Sequence, residues 1–176
     1  MSEFTSTTEL AQALRTAEAR RIGVDGSDGV GKTTLAQAIA GILRYQLFSL
    51  DDYVHKQQGA FIPNIHYDKL ASDLAQAQSF VVEGVCLLEV LARAAADIDQ
   101  LVYLKRFHVG VWADERELHL AEDVESFLRK EREFVGLLGG SNQPVQNLGL
   151  AEEIIRYHAS YRPQENAAFV YRRDNC

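Results

Sequence analysis

Gly26-Ser27-Asp28-Gly29-Val30-Gly31-Lys32-Thr33 fits the spacing GxxxxGK[ST] at every constrained position. Glycine reaches positive φ without a Cβ penalty, so such a loop can turn its backbone N–H groups inward around a phosphate. The N-terminus of the following helix attracts the same anion. Lys32 adds a point charge, the Thr33 hydroxyl suits Mg²⁺, and Thr34 completes the phosphate-binding set that begins at Gly26. Two acidic places complete the set. Asp51-Asp52 closes one apolar run and Glu83 closes another. A carboxylate at a strand end beside a phosphate loop can orient or deprotonate a hydroxyl for in-line attack. A charge directly after a buried strand is costly unless it is paired, hydrated or metal-linked.

These residues need strands and helices to hold them. Arg21 to Asp25 is a short apolar run bounded by glycine, and Thr33 to Leu43 is rich in Leu, Ala and Ile, so the loop is predicted to join a strand to a helix. The same alternation predicts strands at 45–50, 79–82, 101–104 and 168–171, and helices at 67–77, 85–96 and 150–162, the last stopped by Pro163. Ser6 and Glu9 have capping-box spacing, which predicts a helix over about 7–20 ahead of the main fold. Strands that read as continuous apolar runs imply a parallel sheet covered on both faces. The expected architecture is therefore α/β, a P-loop NTPase three-layer fold with five parallel strands in a single domain over 1–176. The charged stretch 105–147 is read as a helical, lid-like insertion.

The chain has 176 residues, 47% hydrophobic and 24% charged, which excludes a disordered or fibrous protein. Its net charge of −7 argues against nucleic acid or an anionic membrane as the main partner. Cys86 and Cys176 form no CxxC pair, and the N-terminus has no secretory pattern, so a cytoplasmic location is expected. His55, His108 and His119 have no metal-ligand spacing.

The segments Ile22 to Leu35, Phe48-Ser-Leu-Asp-Asp-Tyr53 and Val81-Val-Glu83-Gly84 resemble the uridine kinase family of P-loop kinases. The resemblance implies transfer of the γ-phosphoryl of ATP, with Mg²⁺, to a hydroxyl of a small metabolite, a nucleoside or another ribose-bearing compound. By position, it makes Asp51 the acid that contacts the acceptor hydroxyl, and Thr33, Glu83 and Asp51 the groups around Mg²⁺. His66-Tyr67-Asp68 falls in the family's substrate-contacting segment. Asp68 can accept from sugar hydroxyls or cap a helix, and Tyr67 or Tyr53 can stack on a base. The lid cation is open among Arg106, Arg116, Arg129 and Arg132, with Arg106 placed first among the catalytic groups beside Lys32, Asp51 and Glu83.

Two other functions fit the loop. Thymidylate-type kinases phosphorylate a phosphate and share a similar loop, but they carry Asp-Arg-aromatic at the third strand, where this chain has Glu83-Gly84-Val85. In a nucleotide-binding regulatory protein, acids such as Glu122, Asp123, Glu125, Glu131 and Glu133 would form a partner surface. A homodimer is left open in every case.

Overall fold

The computed structural model describes residues 1–55, 60–120, 123–140 and 143–175. Cys176, Glu122 and parts of the 52–68 and 105–147 segments lie outside the described residues. The sheet forms around the apolar runs. β2 (Arg21–Asp25) lies between β4 (Phe80–Glu83) and β5 (Gln100–His108), with β3 (Gln46–Ser49) outside β4 and β7 (Phe169–Asn175) outside β5. Those neighbours are all parallel, as buried apolar strands require.

Residue alternation then sorts the two cores. Ile22, Val24, Val81, Val102 and Leu104 face α1 (Thr7–Thr16) and α2 (Lys32–Leu43). Phe80, Val82, Leu101 and Tyr103 face α3 (Tyr67–Gln76), α4 (Leu87–Arg93) and α7 (Leu150–Tyr161). The result is the three-layer P-loop NTPase architecture.

Among the described residues the sheet has seven strands, where five were expected. β1 (Ser2–Phe4) pairs with β7, and β6 (Val111–Trp112) folds back antiparallel on β5. Both were missed for the same reason: two or three residues carry no period. The N-terminal segment is also no preface to the fold. α1 is shorter than predicted, and its Leu10, Ala11 and Leu14 are fully buried against α2. Ser6 caps it, accepting from the Glu9 amide at 3.4 Å.

The 105–147 stretch differs from an all-helical insertion. Its first residues prolong β5 and turn through Val109-Gly110 into β6. Two helices follow, α5 (Glu115–Leu118) and α6 (Val124–Leu138). Pro163 does more than stop α7, because it occupies the first turn of α8 (Pro163–Asn166), where its missing N–H is harmless. Among the described residues, no helix is long and apolar enough to cross a membrane.

Candidate active site

Parallel register brings the chemistry to one edge of the sheet. Val24 pairs with Glu83 and Asp25 with Tyr103, while Ser49 pairs with Glu83 from the other side. The loop from Gly26 to Gly31 leaves this edge and enters α2. Gly31 is the N-cap of that helix, at φ +102°, a conformation that side chains rarely adopt.

A cavity of about 420 Å³ opens above the loop, lined by Asp28, Gly29, Gly31 and Lys32 to Thr34 on one side. Asp51, Glu83, Gly84, Val85, Phe61 and Leu150 line the rest. Lys32 is buried, and its Nζ donates to the Ser27 carbonyl at 2.7 Å. Burial pushes its ammonium pKa down, opposed by the charges of Asp25, Glu83, Asp28 and Asp51. Glu83 is 2% exposed, and its Oε1 accepts from both the Thr33 hydroxyl at 3.0 Å and the Ser49 hydroxyl at 2.6 Å. Asp51 is exposed, on a 3₁₀ turn (Leu50–Tyr53) that follows β3.

One apolar contact spaces the two acids. A Cβ on Gly84 would lie 2.7 Å from the Leu50 side chain, so glycine at 84 lets the turn carrying Asp51 seat directly against the end of the strand carrying Glu83.

The donor set fits a hard cation held jointly with a nucleotide. Asp51 and Glu83 share the cavity with the Thr33 hydroxyl, which suits Mg²⁺ bound through one or two carboxylates plus substrate phosphates. Among the described residues, no group of three or more His, Cys, Asp or Glu forms a protein-only metal site. Thr33, Glu83 and Asp51 are the residues that would hold the ion.

Other predicted residues lie elsewhere. Tyr53 is buried, with its hydroxyl on Asp73 at 2.7 Å, because its ring belongs to the core under α3; it does not line the cavity. Tyr67 donates to the Ile62 carbonyl at 2.7 Å and braces the loop. His66 is the N-cap of α3 without a side-chain cap bond, its ring against His55, and Asp68 lies exposed in the first turn. The loop is held also by Glu153 of α7, which accepts from the Phe61 amide at 2.8 Å.

Arg106 lines an adjoining cavity of about 290 Å³ with Ser27, Asp28 and Asp114, and pairs with Asp114 at 2.8 Å. Arg116 pairs with Glu131 at 2.6 Å, and Arg132 with Glu152. Arg129 is exposed on α6.

No motif in the sequence signals the buried network beneath the loop. Asp25 is fully buried; its Oδ1 accepts from the Gly26 amide at 2.7 Å and its Oδ2 from the Tyr157 hydroxyl. Burial pushes its pKa up to about 7, against the pull of those hydrogen bonds and of Lys32. Beside it, His158 Nδ1 donates to the Ile154 carbonyl at 2.8 Å, which leaves Nε2 to accept from the Tyr103 hydroxyl at 2.9 Å. Burial pushes the His158 pKa down to about 4.

No family model matches the chain, and no curated protein does. Among solved structures it is similar to a shikimate kinase from Acinetobacter baumannii in complex with shikimate, at 18% identity over 94% of this chain and 89% of that one, with a TM-score of 0.44. A shikimate kinase from Bacteroides thetaiotaomicron is similar at 17% identity over 88% and 86%, with a TM-score of 0.37. These overlaps are loose, and the chemistry of the site rests on its own side chains.

Proposed function

We propose that the chain transfers the γ-phosphoryl group of Mg-ATP to a hydroxyl of a small metabolite, with a nucleoside or another ribose-bearing compound as the favoured acceptor. The observation that carries this reading is the single cavity in which Lys32, Thr33, Asp51 and Glu83 converge on a glycine-rich loop. The loop amides and Lys32 bind the β- and γ-phosphates, Lys32 exchanging the Ser27 carbonyl for phosphate oxygen. Mg²⁺, when bound, neutralises charge on the phosphates. Thr33 and Glu83 orient that end of the site through the bond they already share. At the other end, Asp51 accepts the hydroxyl proton as the acceptor oxygen bonds to the γ-phosphorus and the bond to the β-phosphate oxygen breaks, releasing ADP.

A phosphate acceptor is less well served, because Lys32 is the one cation lining this cavity among the described residues. The buried free thiol of Cys86 suits a reducing, cytosolic setting. The test is a coupled ADP-release assay with Mg-ATP against nucleosides, nicotinamide riboside, pantothenate, shikimate, sugars and nucleoside monophosphates. Acceptor-dependent release, lost in Asp51→Asn, supports the kinase. Tight ATP binding without release on any acceptor favours a regulatory nucleotide-binding protein.

A further inference from the structure

Phosphoryl transfer draws on cations beyond the loop lysine, and three of the four candidate lid arginines are engaged elsewhere, while Arg129 stands exposed on α6. Arg106, Arg116 and Arg132 each face a carboxylate, on Asp114, Glu131 and Glu152. The last strand supplies a different one. Arg173 of β7 donates Nη1 to the Val30 carbonyl at 2.9 Å, a contact between residues 143 positions apart. A Cβ built on Gly31 would fall 2.1 Å from that same nitrogen. The guanidinium therefore rests on the loop backbone next to Lys32, in space that only glycine leaves open.

Its pairing is equally unlike that of its neighbours. Arg172 is neutralised by Glu3 and Asp174, and Arg106, the register partner of Arg173 on β5, by Asp114. Arg173 has no carboxylate partner among the described residues. A guanidinium offers five N–H donors, and Val30 takes one. In a chain of net charge −7, an arginine left without an acid on the backbone of a glycine-rich loop has its natural counter-charge in a polyanion.

We infer that Arg173 is a nucleotide-binding residue that holds the non-transferred α- and β-phosphates, an inference that rests on reading Gly26 to Thr33 as the ATP site. In this role Gly31 has a second function, since it admits the arginine as well as turning the loop.

Calorimetric titration of ATP and of inorganic tripolyphosphate into wild type, Lys32→Ala, Arg173→Met and Arg173→Lys tests it. Arg173→Met keeps the aliphatic stem, and its urea midpoint without nucleotide is expected to match wild type. Its affinity for both ligands should fall between about ten- and a hundredfold, the range for a hydrogen bond to a charged group, with partial recovery in Arg173→Lys. Wild-type affinity of Arg173→Met for tripolyphosphate overturns the inference, whether ATP binding is kept or lost; loss of ATP alone would make Arg173 a base contact. Failure of the wild type itself to bind ATP, with Lys32→Ala no different, removes the ATP site and the inference with it. Loss in Lys32→Ala with none in Arg173→Met removes the inference alone.

Discussion

The phosphate loop and the lid-like segment both depend on cations, and they hold them in opposite ways. In the loop, Lys32 is buried against a carbonyl, at a cost that lowers its pKa. In the segment after Leu104, Arg106, Arg116 and Arg132 are closed onto acids. Glu152 alone gathers Arg132 and Arg156, and Arg156 reaches on to Glu125. The first arrangement leaves an ammonium bonded to a neutral oxygen rather than to an acid. The second meets its demand internally, so Arg106, Arg116 or Arg132 must leave an acid before it can serve a phosphate.

The sharpest break of this contrast is Lys32→Ala. Removing a charge aimed at the transferring group should reduce turnover by about a hundredfold or more, with little change in urea midpoint, since the charge was buried at a penalty. Steady-state kinetics and urea unfolding check both halves. Asp51→Asn should follow, cutting kcat by about two to four orders of magnitude while ATP affinity stays within about twofold, read by calorimetry.

The network under the loop allows a finer test by pH. Asp25 titrates near 7 in the fold against about 3.9 unfolded, so it favours the native state at low pH, and that contribution is lost as pH rises from about 4 to 7. His158, near 4 against about 6.5, does the reverse, and stability is gained as pH rises through that interval. The two slopes oppose each other. Relative to wild type, Asp25→Asn should gain stability between pH 4.5 and 6.5, by an amount on the order of 2 kcal/mol, and His158→Gln should lose it. Urea midpoints across that window decide, and parallel curves would refute the opposition.

Smaller effects belong to the lid. Glu152→Gln should destabilise by about 1–2 kcal/mol, since it leaves two arginines without their shared acid. Arg116→Ala, whose side chain is 78% exposed, should change the unfolding free energy from urea titration by less than about 0.5 kcal/mol.

What was legible in the sequence follows the distance over which each feature is encoded. The loop, its strand and its helix are contiguous, and Lys32, Thr33, Asp51 and Glu83 do share one cavity. Asp25 lay in plain view beside Gly26, but its importance comes from Tyr157, 132 residues away on α7. Arg173 meets the loop only because β7 lies beyond β5 in the sheet. Tyr53 misled because aromatic rings suit cores and pockets equally, and here the partner was Asp73 across the α3 contact. β1 and β6 were too short for alternation to show.

The seating of Leu50 against Gly84 bears on any effort to redirect the protein to new acceptors. It works as a gauge block between the turn that carries Asp51 and the strand that carries Glu83, without entering the reaction. A library that varies 50 or 84 would shift the acids along with the cavity wall and confound selectivity with lost activity. Phe61, Val85 and Leu150 line the same cavity without setting that spacing. Diversity introduced there would reshape the acceptor end while leaving the reacting groups in register.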